Sequence, residues 1–307
     1  MAEQQSAAPG SPLPGSPGSP LWDPGAVPAA TVIVLRDGDE GPEVLMLKRD
    51  RDLRFAGGMW VFPGGRIDDE DWLPDEQDIA TSSPPDPNRT EPNRTEPNRT
   101  DPTRPDPNRA DEPDRAIETA ARRAAVREAM EEAGIAVIEP SLRRWSHWTP
   151  PQFSDHRFTT AFFVAPADDA SAEIVVDDGE IREHRWATPA DVVSLRDTGE
   201  IELAPPTFIT LRQLMEHTDV SAVLEVATRR EQTRTIEHFA TRVVTHDGGW
   251  TAVYHGDTLY ESAGAHGATS AGLTSAAGEV TALDLNAAGP RHRLLMAEQW
   301  SYIRQGC

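Results

Sequence analysis

The sequence predicts a mixed α/β fold, in which strands and a long helix alternate along the first two thirds of the chain. Apolar, β-branched runs at Thr31–Leu35 and Val44–Leu47 flank the turn-rich segment RDGDEGP, which predicts a two-stranded hairpin. A helix is expected over residues 114–134, because a proline precedes it and a glycine stands where helices commonly end. Strands are expected again at Arg157–Val164 and Glu183–Trp186.

Two helices should close this first domain, which we place at residues 29–218. The dipeptide Thr188-Pro189 predicts a capped helix through Leu195, and a second helix is expected from about Pro206 to His217. A small C-terminal α+β subdomain of unknown role should occupy residues 219–307. It would contain a helix at Val220–Arg230 and short strands at Glu237–Val244, Thr251–Tyr254, Val280–Leu285 and His292–Met296.

Two segments predict no regular structure. Residues 1–28 are rich in proline, glycine and serine, which is typical of a disordered tail. Residues 72–113 form a flexible insertion, in which units such as DPNRT and EPNRT repeat every five residues between Asp86 and Ala110. The proline of each unit prevents a continuous helix, and the polar composition favours a solvated linker.

Composition excludes several classes of function. The chain has 307 residues, and its 29 Lys+Arg against 51 Asp+Glu give 29 − 51 = −22, which argues against bulk-charge binding of nucleic acid or anionic membranes. An anionic substrate must therefore be captured locally, most simply by a metal ion. The single cysteine, Cys307, cannot form an internal disulfide, and no secretory signal is visible at the start, so we expect a cytoplasmic protein.

Carboxylates cluster on one side of the long helix. At 100° per residue, Glu128, Glu131 and Glu132 fall within about 100° of arc. The opposite side, expected to face the core, carries Val126, Ala129, Met130 and Ala133. No lysine or arginine follows within one turn of Glu131 or Glu132, so a divalent cation would relieve the repulsion between the like charges. Taken alone, such a cluster is more often a solvated helix face.

The neighbouring residues complete a known motif. The segment from Arg127 to Ile135 reads REAMEEAGI, and FPGG at Phe62–Gly65 is followed by Asp71. In these residues the chain resembles the Nudix hydrolase family, whose box is G-x5-E-x7-R-E-U-x-E-E-x-G-U, with U an aliphatic residue. The spacing departs from the box, because 127 − 65 = 62 where the pattern has 14, which leaves 62 − 14 = 48 extra residues. Long polar insertions are tolerated because loop-closure entropy grows slowly with length.

The insertion leaves the first acidic position of the box ambiguous. Counting back along the helix reaches Thr119, beside Glu118, whereas counting forward from Gly65 reaches Asp71. Sequence alone leaves both Asp71 and Glu118 open.

The resemblance implies a Nudix fold, a mixed β-sheet between helices, and hydrolysis of a phosphoanhydride with Mg²⁺ or Mn²⁺. It implies that Glu128, Glu131 and Glu132 bind the metal, that Glu131 acts in catalysis, and that Arg127 orients a carboxylate. It further implies that Gly64 and Gly65 allow close backbone approach to the substrate. A further catalytic carboxylate is expected downstream, at Glu180 rather than Glu183, and the identity of the general base stays open.

A second motif suggests the substrate. Coenzyme A diphosphatases of this family carry L-L-T-x-R-[SA]-x3-R-x3-G-x3-F-P-G-G, and the chain matches it at Leu45, Met46, Arg49, Arg54, Gly58 and Phe62–Gly65. It differs at Leu47, where the motif has threonine, and at Asp50, where the motif has a small residue. The divided box and the run HWTPP followed by RFTTAFF also resemble the coenzyme A and acyl-coenzyme A diphosphatase branch, which implies a substrate-binding role for Arg157.

The basic residues of this second motif would recognise the substrate. Arg49 and Arg54, with Lys48 and Arg51, supply positive charge that could bind the 3′-phosphate of coenzyme A, although exposed charges at a strand end often have no such role. ADP-ribose, NADH and dinucleoside polyphosphates are alternative substrates, and a non-catalytic nucleotide-binding regulator is the alternative class. We expect a small nucleotide as partner, neither nucleic acid nor membrane, and leave a homodimer open.

Overall fold

The structure of this chain is a computed structural model that covers parts of both predicted regions. The described residues are 22–23, 25–53, 56–73, 112–154, 157–168, 174–176, 179–246, 249–263, 268–269, 273–274, 280–281 and 284–307. The predicted N-terminal tail up to residue 21, residues 74–111 of the insertion with the repeat inside them, and Arg54 lie outside the described residues. The predictions made for these residues stay predictions.

A mixed sheet forms the centre of the fold. Within the described residues it has eight strands: β1 (Val27–Gly38), β2 (Gly41–Arg49), β3 (Trp60–Val61), β4 (Gly64–Arg66), β5 (Arg143–Thr149), β6 (Phe158–Pro166), β7 (Ile181–Ala187) and β8 (Glu237–Ala240). The strand order is β3-β2-β1-β6-β5-β8, while β4 also pairs with β1 and β7 with β2. The central β1 and β6 run parallel, whereas β1 and β2 form the expected antiparallel hairpin.

Helices cover both faces of this sheet, which confirms the predicted fold class. The helices are α1 (Glu112–Ala133), α2 (Pro189–Asp197), α3 (Pro205–Leu214), α4 (Val220–Thr233) and the short α5 (Tyr260–Ala263). One face packs against the alanines of α1, whose small side chains let the helix approach the sheet closely. The other face packs against α2, α3 and α4. Among the described residues, no helix combines the length and apolar character needed to cross a membrane.

The C-terminal residues add a second sheet that shares the core of the first. Its strands are β9 (Arg242–His246), β10 (Gly249–Val253), β11 (Ala268–Thr269), β14 (Arg291–Met296) and β15 (Trp300–Gln305), while β12 (Leu273–Thr274) pairs with β13 (Val280–Thr281). The single strand expected at Glu237–Val244 is wrong, because the chain divides at Thr241. β8 pairs with β5 of the first sheet, whereas β9 belongs to the second. The proposed domain boundary at residue 218 stays a prediction.

Strand β5 was missed by sequence reasoning because polar residues occupy its buried positions. The Arg144 guanidinium is ion-paired with Glu118 of α1 and donates a hydrogen bond to Nδ1 of His147. The guanidinium has only donors, so Nδ1 must accept and His147 is neutral. Its Nε2 lies 2.8 Å from the Thr159 hydroxyl. On the adjacent β8, His238 is hydrogen-bonded to Thr149 at 2.9 Å.

These two histidines should make folding stability depend on pH. Burial, with the charge of Arg144, holds the pKa of His147 well below 6.5 and lowers the pKa of His238 to about 4. The unfolded histidines gain protons as the pH falls through 6.5, whereas the folded ones remain neutral. The free energy of unfolding therefore decreases as the pH falls from 6.5 to about 4. The decrease is on the order of 1 kcal/mol per pH unit for each histidine.

Urea unfolding at about pH 7 and about pH 5 measures this loss. We expect His238→Gln to reduce the loss of unfolding free energy between the two pH values, because one buried imidazole no longer resists protonation. The exposed His184 offers a matched control, and His184→Gln should retain the wild-type difference. An unchanged pH dependence in His238→Gln would contradict the assignment.

Candidate active site

The candidate active site lies where α1 crosses the short strand β4. Gly64 and Gly65 of β4 pair with Thr31 and Ala30 at the beginning of β1. Helix α1 packs on the same region of the sheet and presents the carboxylates of its last two turns to β4. The two halves of the motif are therefore adjacent in space, although the insertion separates them in sequence.

Arg127 is the centre of the site. Its Nη1 donates to Glu128 at 3.0 Å and to Glu131 at 2.8 Å. Its Nε and Nη2 donate to the two carboxylate oxygens of Asp71, at 3.2 and 2.8 Å, and Nη2 also donates to the main-chain oxygen of Arg66. Burial alone would lower the pKa of Arg127, but the Asp71 hydrogen bond and the charge of Glu128 raise it above its ordinary value. Arg127 is thus permanently charged and orients three carboxylates.

The structure places Asp71, and not Glu118, beside Arg127. Asp71 ends a short 3-10 helix at residues 69–71 and is only 3% exposed. Glu118 lies more than two turns earlier on α1, where it contacts Arg144 and Arg122. Sequence reasoning also missed Arg123, one helical turn before Arg127, which donates to the main-chain oxygen of Asp71 at 2.6 Å. The sequence signal for Arg123 is its position four residues before Arg127, which places the two arginines on the same face of α1.

Glu132 is buried beneath strand β4. Its Oε2 accepts a hydrogen bond from the Gly64 amide at 2.9 Å, and Oε1 lies 3.4 Å from Nη1 of Arg49. Burial raises the pKa of Glu132 to about 8, and the negative charge of Glu128 adds to the rise. Met130, which was expected to face the core, is instead 49% exposed, while Glu132 is 5% exposed. The expected division of the helix into an apolar and an acidic side is wrong at these two positions.

Arg49 connects Glu132 to a second carboxylate at the mouth of the site. Its Nη2 donates to Glu180 at 2.8 Å, and Glu180 is about half exposed. Glu183, the alternative acid, is ion-paired with Lys48. Glu180 is therefore the downstream carboxylate that lies next to the helix cluster.

Other predicted substrate contacts are not brought into this cluster. Arg157 is ion-paired with Asp23 and donates a hydrogen bond to the main-chain oxygen of Gly25 at 3.0 Å. These contacts hold the segment before β1 rather than the carboxylates of α1. Arg54 is outside the described residues.

Both glycines of β4 occupy positions where a side chain would collide with the site. A Cβ on Gly65 would lie 2.2 Å from Oε1 of Glu128. A Cβ on Gly64 would lie 2.5 Å from the main-chain oxygen of Ala30. Close approach of β4 to β1 therefore requires glycine at position 64, whereas a side chain at position 65 would displace the Glu128 carboxylate.

In this structure the carboxylates of α1 accept hydrogen bonds from other groups of the protein. Glu128 and Glu131 are turned to Arg127, and Glu132 is turned to Gly64. Accordingly, across the part of the chain that is described, no three His, Cys, Asp or Glu side chains converge in an arrangement that could hold a metal ion.

Comparison with known proteins agrees with this site. Residues 115–207 match the NUDIX domain. The acyl-coenzyme A diphosphatase NUDT19 of Xenopus laevis is 23% identical over 272 residues, which cover 71% of each chain.

Solved structures of NUDIX proteins also resemble the chain. A NUDIX hydrolase from Alicyclobacillus acidocaldarius matches with a TM-score of 0.46 and 21% identity, over 65% of this chain and 96% of that one. The NUDIX domain of Shewanella oneidensis NrtR complexed with ADP ribose matches with a TM-score of 0.38 and 13% identity, over 64% and 92%. The divided box, the residues gathered around Arg127 and the matched domain show that the chain contains a NUDIX domain at residues 115–207, and they support a hydrolase of phosphoanhydrides.

Proposed function

We propose that this Nudix hydrolase cleaves the diphosphate of coenzyme A or acyl-coenzyme A in the presence of Mg²⁺ or Mn²⁺. Water would break one P–O bond of the anhydride and give 3′,5′-ADP and (acyl-)4′-phosphopantetheine. The observation that carries the reaction type is the group of carboxylates around Arg127, with Arg49 beside it. The coenzyme A motif and the similarity to an acyl-coenzyme A diphosphatase support the substrate.

The residues present fit a divalent cation in their chemistry. Glu128, Glu131 and Glu132 supply the oxygen ligands that Mg²⁺ and Mn²⁺ prefer. Burial raises the pKa of both Glu128 and Glu132, which indicates that negative charge is incompletely balanced there. When bound, the cation would neutralise the diphosphate and favour formation of the water nucleophile. These three side chains would hold it after turning from Arg127 and Gly64.

The chain's own residues would position the reactants. Arg127, fixed by Asp71, sets the directions of Glu128 and Glu131. Arg49 lies between Glu132 and Glu180, where its guanidinium can pair with diphosphate oxygens. Glu131 and Glu180 are the exposed carboxylates of the group, each 54% accessible, and are the two candidates for accepting the proton of the attacking water.

The test is a substrate panel with the purified full chain. Coenzyme A, an acyl-coenzyme A, ADP-ribose and NADH are each incubated with Mg²⁺ or Mn²⁺, and products are separated by chromatography. We expect 3′,5′-ADP from the coenzyme A substrates, no turnover after chelation with EDTA, and a loss of orders of magnitude in Glu132→Gln, which removes one charged ligand. Preferred hydrolysis of ADP-ribose or NADH would contradict the proposed substrate, and full activity of Glu132→Gln would contradict the site.

The two glycines of β4 should respond differently to alanine. In Gly65→Ala the new methyl group meets the end of the Glu128 side chain, so we expect kcat to fall at least tenfold with little change in Tm. In Gly64→Ala the methyl group meets the backbone of β1, so Tm itself should fall by several degrees. Steady-state kinetics and thermal unfolding of both variants provide the comparison. A Gly65→Ala enzyme with wild-type kcat would contradict the placement of Glu128.

Arg49 should act on the diphosphate rather than on the 3′-phosphate. Its guanidinium is held by Glu132 and Glu180 beside the carboxylates of α1, and this position supports a role in diphosphate binding in place of the expected recognition of the 3′-phosphate. We therefore expect Arg49→Ala to lower kcat/KM for coenzyme A and for its 3′-dephospho form by a similar factor, roughly tenfold or more. A loss confined to coenzyme A would restore the original expectation.

A further inference from the structure

A β-bulge lies beside the candidate active site. Strands β2 and β7 keep one register up to Lys48, which lies opposite Glu183, and then shift so that Arg49 lies opposite Ile181. Arg182 is the extra residue of β7 at this point. Bulges bend a strand and re-aim neighbouring side chains, and they are frequent near active sites. The bulge is thus located where Arg49 leaves the sheet.

Asp50 holds this bulge together. Its Oδ2 is ion-paired with Nε of Arg182, and its Oδ1 accepts a hydrogen bond from the Asp52 amide at 2.8 Å. Its own amide donates to the main-chain oxygen of Glu180 at 2.7 Å. The hydrogen bonds from Asp52 and Arg182 keep the pKa of Asp50 below its ordinary value, so the carboxylate is charged. A single residue therefore ties the end of β2 to the start of β7.

We propose that Asp50 is a positioning residue for the Nudix reaction. By holding Arg182 in the bulge, Asp50 places the preceding Arg49 between Glu132 and Glu180. The hydrogen bonds of Asp50 described above end on Asp52, Arg182 and the backbone of Glu180, so it acts through Arg49 and Glu180 rather than on the substrate. The inference rests on the proposed function for its kinetic test.

The sequence makes Asp50 a distinctive choice. It stands where the coenzyme A diphosphatase motif has a small residue, which could not reach Arg182. The partner Arg182 is about half exposed, and ion pairs at such positions contribute little to stability. The Asp50 carboxylate should therefore affect the position of Arg49 more than the free energy of unfolding. Effects on activity and on stability can then be separated by experiment.

The kinetic test is a double-mutant cycle with Arg49. We expect Asp50→Ala to lower kcat/KM about tenfold while Tm stays close to wild type, because a small displacement of a positioned group is costly. If Asp50 acts through Arg49, the double variant Arg49→Ala/Asp50→Ala should be no slower than Arg49→Ala alone. Losses that add would overturn the proposal, and so would wild-type kcat/KM in Asp50→Ala.

A matched control uses another cross-strand ion pair. Arg36 and Glu43 pair at 2.7 Å between β1 and β2, at the other end of the hairpin. Glu43→Gln removes one charge from a comparable pair and should leave kcat/KM unchanged. If Asp50→Ala fails to fold, Arg182→Gln breaks the same pair from the other strand and should show the same loss in the same cycle; an unchanged kcat/KM in Arg182→Gln would then overturn the proposal.

A structural measurement keeps this inference separate from the substrate assignment. Crystal structures of the wild-type and Asp50→Ala proteins would show whether the contact between Arg49 and Glu180 depends on Asp50. We expect that contact to be lost and the register of β2 and β7 to change at Arg182. An unchanged bulge and an unchanged Arg49 would overturn the proposal even if coenzyme A is the substrate. If coenzyme A is not hydrolysed, the proposed function fails while this measurement still tests Asp50.

Discussion

The arrangement of the candidate site depends on the hydrogen bonds of the Arg127 guanidinium. Its donors reach three carboxylates and one main-chain oxygen, and they connect α1 with the segment that follows β4. Removing the guanidinium would leave several carboxylates close together without a counter-charge, a situation that is strongly destabilising where groups are buried. The same contacts bridge the long insertion, because Asp71 precedes it and Arg127 follows it. Arg127 thus holds the two halves of the motif together although the insertion separates them in sequence.

This arrangement creates a graded set of carboxylates. Asp71 is fully buried and committed to Arg127, whereas Glu132 is buried with only an amide and a distant arginine as partners. Glu131 and Glu180 are open to solvent. Buried groups with incompletely balanced charge attract a cation, and exposed groups can exchange protons with water. The fold thus gives similar carboxylates different environments through their burial and their hydrogen-bond partners.

Local signals explain which parts of the fold could be predicted from sequence. The hairpin and α1 were predictable because their apolar periodicity and end signals lie within a few residues of each other. Strand β5 was not, because Arg144 and His147 occupy buried positions that only partners from α1 and β6 make acceptable. The choice between Asp71 and Glu118 likewise needed the structure, since the insertion removes the spacing that would decide it. The Glu128–Glu132 face was predicted in part, but which glutamate is buried depends on where β4 lies.

The pairing of β8 with β5 has a consequence for how the chain can be divided. β8 closes the outer side of β5, and α4 covers the adjoining face of the sheet. A protein ending at residue 218 would keep every residue of the candidate site but would expose the unpaired edge of β5 and the apolar surface beneath α4. Exposed strand edges of this kind recruit other chains and promote aggregation. The C-terminal residues therefore cover a strand edge and an apolar surface of the sheet that carries the candidate site.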